Sequence, residues 1–169
     1  EKTAAIILAA GSASRYGETK QLLPYRGRPL VRLAAETALL AGCAPVVVVC
    51  GYQAELVEAA LSGLPVQCIR NASWQNGQGT SVAAGVSALR EAHSGAALFM
   101  LADQPLDNPL LLRALIEAHT QGRGSIVFPD YEGRRGTPTL FDALHFGELS
   151  VLKGEEGGRQ VMHGKAATR

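Results

Sequence analysis

Short apolar segments rich in β-branched residues alternate with amphipathic ones along this chain, and no other feature restricts its fold as strongly. Strand-like runs fall at Ala4–Ala9, Pro45–Cys50, Pro65–Ile69, Ala96–Ala102 and Ser125–Pro129. Helical spacing of apolar residues fills the intervals Pro29–Leu40, Gln53–Leu61, Thr80–Ala92 and Pro109–His119, and the first two of these stop at Gly42 and Gly63. Repeated β-α units predict a mostly parallel sheet with helices on both faces, a Rossmann-like three-layer α/β sandwich. At 169 residues and 47% hydrophobic content one core suffices, so a single domain over 1–169 is expected. The polar stretch Asp130–Gly136 predicts a hairpin-like insertion over the site edge, with Thr137–Phe141 returning to the sheet as a further strand. Ligands of open α/β sheets bind outside the carboxyl ends of the strands, where Gly11 and Asp103 should both lie.

The first of those strand ends is unusual. Residues Leu8 to Pro24 read LAAGSASRYGETKQLLP, in which small residues at Ala9, Ala10, Gly11, Ser12 and Ala13 let backbone N–H groups come close to a ligand. Arg15, Lys20, Arg26, Arg28 and Arg32 surround the run against Glu18 alone, so a positive local field is expected although the chain carries a net charge of only +1. An anionic ligand follows from that pattern. Five residues separate Gly11 from Gly17 and Lys20 stands three beyond Gly17, which excludes GxxxxGK[ST]. No second glycine stands where GxGxxG requires one.

Other chemistries are excluded by the same inspection. Basic residues form no stripe with aromatics, which make up 5% of the chain, so no nucleic-acid surface is expected. No apolar run approaches the roughly 20 residues of a membrane span, and no secretory layout opens the chain, so the expected location is cytoplasmic. Cys43, Cys50 and Cys68 lack CxxC spacing and read as buried free thiols. The histidines at 93, 119, 145 and 163 show no HxxxH pairing, and surface or helix-end roles are expected for them. There is no GxSxG elbow.

The run from Leu8 to Pro24 resembles the signature of the MobA-like NTP transferases, and three further segments extend that resemblance over nearly the whole chain. These are LADQP around Asp103, NASWQNGQGTS from Asn71 to Ser81, and GRRGTPTLF from Gly133 to Phe141. The resemblance implies the nucleotide-diphospho-sugar transferase type of α/β fold. It also implies a nucleotide held by Leu8, Ala9, Ala10, Gly11, Ser12, Arg15, Lys20, Asn71, Gly79 and Ser81, with Lys20, Arg15 and Asp103 as catalytic residues. Asp103 is not needed as a helix cap, because Asp107 or Asn108 stands directly before Pro109, and the resemblance makes it the ligand of Mg²⁺. Glycines in the second segment leave room for a flat base, while Asn71, Thr80 and Ser81 offer hydrogen bonds to its edge, Thr80 serving equally well as a helix N-cap. Trp74 reads as a packing residue.

Members with LAAG in the first loop are typically CTP users, and Leu8-Ala9-Ala10-Gly11 matches them. The implied reaction transfers CMP from CTP to the terminal phosphate of molybdopterin and releases pyrophosphate, with a molybdenum hydroxylase or its chaperone as a possible partner. Thr137 stands where many relatives have His before the proline, which leaves open a sugar or polyol phosphate acceptor. Arg134 and Arg135 read equally as an acceptor-phosphate grip or a solvated hairpin tip. LKGEEGGR resembles a turn near the family's end, with Glu155 and Glu156 close to the site. Relatives continue into another strand and an Asp-rich segment, whereas this sequence ends HGKAATR; the expectation is a domain either lacking that segment or not showing it, and a non-catalytic nucleotide-binding chaperone is the second alternative.

Overall fold

The computed structural model describes residues 2–11, 19–104, 108–131, 134–135 and 137–154. Six strands form one sheet: β1 (Thr3–Ala9), β2 (Val46–Cys50), β3 (Gln67–Arg70), β4 (Ala96–Leu101), β5 (Ile126–Val127) and β6 (Thr139–Asp142), in the spatial order β3-β2-β1-β4-β6-β5. The first four are mutually parallel, while β6 runs antiparallel to both β4 and β5. Strand order therefore reverses between β1 and β4, and that switch point opens a crevice at their carboxyl ends.

Alternation along each strand separates two cores. Ala5, Ile7 and Ala9 face α1 (Leu30–Leu40), α2 (Ala54–Ala60) and α4 (Pro109–Thr120), whose Val31, Ala35, Val57 and Leu112 are completely buried. Ala4, Ile6 and Ala10 face α3 (Gln78–Ser87) and α5 (Phe146–Leu149) through Val82, Val86 and Leu149. The result is the expected three-layer sandwich. All five residues of β2 (VVVVC) are buried, as a central parallel strand covered on both faces requires. Gly85 lets α3 approach closely, since a methyl there would lie 2.5 Å from Ile6 Cγ2.

Several boundaries differ from expectation for local reasons. α1 starts at Leu30 rather than Pro29, because Pro29 (ψ 142°) is extended and pairs with Pro24 in a short hairpin, Pro24–Tyr25 with Arg28–Pro29. Gly27 supplies the positive φ of +81° at its tip. α3 begins two residues before Thr80, which is therefore not the cap, and ends at Ser87 in successive i→i+3 turns. β5 is only two residues long because it pairs with β6 solely at Ile126 and Val127. Asn108 does cap α4, its Oδ1 accepting from Leu110 N at 3.0 Å with Pro109 at the first helical position. A hairpin of Asp130–Tyr131 with Arg134–Arg135 precedes β6 as expected. His145 stands at a helix end, as expected, between the 3₁₀ turn Ala143–His145 and α5, and it is fully buried there, bonded to Ser125 Oγ at 2.9 Å and edge-on to Phe141.

Candidate functional site

The crevice at the switch point is a cleft of about 360 Å³. Leu8, Ala10 and Gly11 line it from the end of β1, and Leu101 and Asp103 from the end of β4. The register places these ends side by side, with Leu8 opposite Leu101 and Ala102 N donating to Leu8 O at 3.1 Å. Trp74, Gln75, Gly77, Gln78 and Ser81, from a 3₁₀ turn and the first turn of α3, close the opposite wall. An α-helix of ten residues thus turns its amino end, with its partial positive charge, toward the cleft.

Asp103 is exposed and supplies the one carboxylate among the described lining residues, with no hydrogen bond to another described residue. Among the described residues there is no cluster of three His, Cys, Asp or Glu able to cage a metal. One free carboxylate beside a polar cleft suits Mg²⁺ or Mn²⁺ taken up together with phosphate oxygens and water, the way such ions are ordinarily held next to triphosphates. The donor set fits that mode of binding.

The structure brings together part of the predicted set. Leu8, Ala10, Gly11, Ser81 and Asp103 meet at the cleft, and Ala9 lies buried beneath it. Lys20 is exposed at the start of the 3₁₀ turn Lys20–Leu22, next to Gln21, which lines the cleft. Ser12, Arg15, Glu155 and Glu156 lie outside the described residues, as do the side chains of Arg134 and Arg135. Asn71 and Gly79 act behind the wall rather than on it. Asn71 Nδ2 donates to Thr80 Oγ1 at 2.8 Å and Ser81 Oγ at 2.9 Å, while its Oδ1 accepts from Ser73 N at 3.0 Å. Gly79 N donates to Gly154 O at 2.9 Å. Thr80 Oγ1 is directed at Gly77 O, 2.7 Å away, so its hydroxyl is spent within the loop. Ser81 Oγ accepts from Asn71 and keeps its own hydrogen for a cleft ligand.

Electrostatics narrow the predicted cation cluster. Arg28 Nη1 lies 3.0 Å from Glu36 Oε2, and Arg32 Nε lies 3.5 Å from the other oxygen of the same carboxylate. Arg32 Nη1 also donates to Ala60 O and Ser62 O, at 3.2 and 2.9 Å. Arg32 thus ties α1 to the end of α2 and Arg28 ties the hairpin to α1, and neither lines the cleft. Arg26 stacks over Tyr25 at 5.3 Å.

Two features escaped the sequence reading. Trp74 is half-buried, stands edge-on to Tyr52 at 5.5 Å, and lines the cleft as well as packing against the core. Its seat depends on Gly51, where a methyl would lie 2.6 Å from Trp74 Cβ and 2.9 Å from Ala10 Cβ. Gln21, only 3% exposed, donates from Nε2 to Ala9 O at 3.0 Å and Gly11 O at 3.2 Å. An amide directly before the apolar run Leu22-Leu23-Pro24 was the available signal for the second.

Residues 5–168 match the family model for the MobA-like NTP transferase domain. The chain belongs to this family. Among curated relatives of this MobA-like chain is nicotine blue oxidoreductase of Paenarthrobacter nicotinovorans, 38% identical over 95% of this chain and 81% of the relative. Bifunctional protein GlmU of Anaeromyxobacter sp. is 41% identical over 73% of this chain, but the match spans only 26% of that longer protein. Among solved structures, Rv0371c from Mycobacterium tuberculosis superposes with a TM-score of 0.85 at 26% identity, covering 98% of this chain and 85% of that one. The same protein in complex with manganese gives a TM-score of 0.79 at 26% identity, over 99% and 86% of the two chains. A nucleotidyl transferase from Methanothermobacter thermautotroptrophicus gives 0.80 at 26% identity, over 99% and 85%. The MobA-like domain is thus a nucleotidyltransferase by family, and one of its structural relatives is known in complex with manganese. No helix among the described residues is long and apolar enough to cross a membrane.

Proposed function

We propose that this chain transfers CMP from CTP to the terminal phosphate of a molybdopterin-type acceptor. The observation that carries the reading is the switch-point cleft, where the small-residue turn at Ala10–Gly11 and the free carboxylate of Asp103 meet the amino end of α3. LAAG at residues 8–11, the pattern of CTP-using members, supports the base assignment.

In the reaction an acceptor phosphate oxygen forms a bond to the α-phosphorus of CTP, the bond from that phosphorus to the bridging oxygen breaks, and pyrophosphate leaves. The protein's task is alignment and charge neutralisation, because a phosphate nucleophile and a triphosphate repel each other. Lys20 is assigned to the α-phosphate and the leaving group, Arg15 to the β- and γ-phosphates, and loop amides from Ala10 to Ser12 to the remaining oxygens. Asp103 would hold Mg²⁺, which supplies further neutralisation when bound. A unit-charge pair at 4 Å is worth about 4 kcal/mol at an effective dielectric near 20, before desolvation, so one lysine cannot neutralise a triphosphate alone. A cytoplasmic setting and hand-over of the product to a molybdenum hydroxylase or its chaperone complete the proposal.

The test measures pyrophosphate release with Mg²⁺ and CTP or GTP, with and without reduced molybdopterin, in the unaltered chain, Asp103→Ala and Lys20→Ala. Release should require CTP, acceptor and Asp103, and Lys20→Ala should lower turnover about 10²- to 10³-fold. A loss below threefold in Lys20→Ala refutes the role given to that lysine. A second reading draws on the relative named nicotine blue oxidoreductase: an oxidation–reduction in the same cleft, for which a nicotinamide nucleotide is the reductant to be tested. Oxidation of NADH or NADPH by an aromatic dye, with no pyrophosphate release under any condition, would favour it.

A further inference from the structure

The carbonyl oxygens of Leu8, Ala9, Ala10 and Gly11 all have donors, but not from the same source. Ala102 N serves Leu8 O at 3.1 Å and Tyr52 N serves Ala10 O at 3.3 Å, both from neighbouring backbone at the carboxyl end of the sheet. Ala9 O, on the last rung of the β1–β2 ladder, and Gly11 O both accept from the side chain of Gln21, whose Nε2 reaches them at 3.0 and 3.2 Å. Both hydrogens of that amide are thereby used, and its orientation is set, since an oxygen in the same place would face two carbonyl oxygens. A turn that is to receive an anion must keep its carbonyl dipoles occupied elsewhere. Gln21 does this for two of the four.

The same residue adjoins Lys20. On the other side of Lys20 stands Thr19, 6% exposed, whose Oγ1 donates to Gln53 Oε1 at the start of α2. Leu22 N to Thr19 O at 3.0 Å and Leu23 N to Lys20 O at 3.1 Å close the 3₁₀ turn itself. An exposed lysine is thus carried on a turn pinned at both ends by buried side chains, and one of the pins is bonded to the strand end that lines the cleft.

We propose that Gln21 is a positioning residue of the nucleotide site, acting through Lys20 by clamping the Lys20 turn to the end of β1. This rests on the nucleotide reading above. Holding the Lys20 turn against the end of β1 in the free protein removes that ordering from the binding step, and a cation held in place gains more from a phosphate than one that must be brought there. The assay is quenching of Trp74, the single tryptophan of the chain, which lines the cleft, by CTP with Mg²⁺.

Gln21→Met removes the amide at similar size and should weaken CTP binding about 10- to 100-fold, the range of coupling between groups acting as one unit. In a Lys20→Ala background the same change should cost less than about threefold, whereas a merely structural role would multiply through unchanged. Gln21→Asn, one methylene too short to span both carbonyls, should show the same dependence on Lys20 at smaller size, and it serves where Gln21→Met fails to fold. If Lys20→Ala binds CTP as tightly as the unaltered chain, the role given to Lys20 falls and this inference with it; if neither CTP nor GTP quenches Trp74, the nucleotide reading itself falls. If Lys20→Ala weakens binding while the Gln21 change multiplies with it, the reading stands and the clamp is overturned.

Discussion

Replacing Gly51 by Ala isolates how much the cleft depends on one close approach. Gly51 does not occupy the left-handed region, so alanine meets no backbone penalty there and the effect is steric. The added methyl would lie 2.6 and 2.7 Å from Trp74 Cβ and Cγ and 2.9 Å from Ala10 Cβ, when ordinary contact begins at 3.4 Å. Trp74 must therefore retreat by close to 1 Å. Because the nearest atom is Cβ, no rotamer change relieves the clash, and the 3₁₀ turn Trp74–Asn76 has to move as a body. Overpacking of this kind costs about 1–3 kcal/mol, offset by about 0.4–1 kcal/mol from the lower entropy of the unfolded alanine chain. A net loss of about 1–2 kcal/mol corresponds to a Tm lower by roughly 2–8 °C for a domain of this size. Gln75, Gly77 and Gln78 line the cleft on the same segment, so a displacement near 1 Å should also weaken productive nucleotide binding by up to about 100-fold. Thermal melts and CTP titration of Gly51→Ala test both effects. Gly147→Ala, where a methyl meets nothing within 4 Å, is the matched control and should be neutral or slightly stabilising. A Gly51→Ala protein that melts at or above the unaltered temperature and binds CTP equally well would refute the packing argument.

Three other outcomes follow from the same structure. Gly85→Ala sets the helix-propensity gain of about 1 kcal/mol against a methyl 2.5 Å from Ile6 Cγ2; a net loss is expected in chemical denaturation, and it should shrink in an Ile6→Ala background, with additivity counting against the contact. Burial raises the Asp142 carboxyl pKa, but the Leu144 N–H and His119, 2.7 Å away, outweigh it and hold it below its ordinary value of 3.8. The stability Asp142 contributes is therefore present above its unfolded pKa and lost as pH falls through the folded one; unfolding at pH 7, 5 and 3 should show a drop below pH 4 that is about 0.5–1 kcal/mol smaller in Asp142→Asn, and equal drops would dismiss the linkage. Burial pushes Cys43 up to about 11 and, with Cys68 and Glu58 adding, Cys50 up to about 12, while Cys68 is raised and only half-buried. At pH 8 a thiol reagent should modify Cys68 first and the other two only on unfolding, and rapid modification of three thiols in the native chain would contradict their burial.

Much of the architecture was legible because it is written at short range. The unbroken apolar runs TAAIILA and VVVVC, the Asn108-Pro109 start of α4 and glycines past the ends of helices each act within a few residues, so strand and helix identity could be read from local pattern. Asp103 at a strand end and the small residues at 8–11 were legible for the same reason, since the strand order of an α/β fold carries both to one crevice. What could not be read are pairings across long separations. Whether an arginine near the loop serves the loop depended on Glu36, which lies in a helix and takes both Arg28 and Arg32. Asn71 was placed on the base from its type, yet its amide is consumed nine and ten residues away by Thr80 and Ser81.

The sequence by itself determined the layers, the nearly parallel sheet and the strand ends on it where the crevice opens, because periodicity and turn chemistry are local and survive any neighbour. Only the tertiary structure decided which polar groups are left over to act there. A side chain's availability is what remains after folding has paired it, and Gln21 with the strand end, Trp74 against Gly51, and Asp103 without a described partner are all outcomes of packing between distant segments.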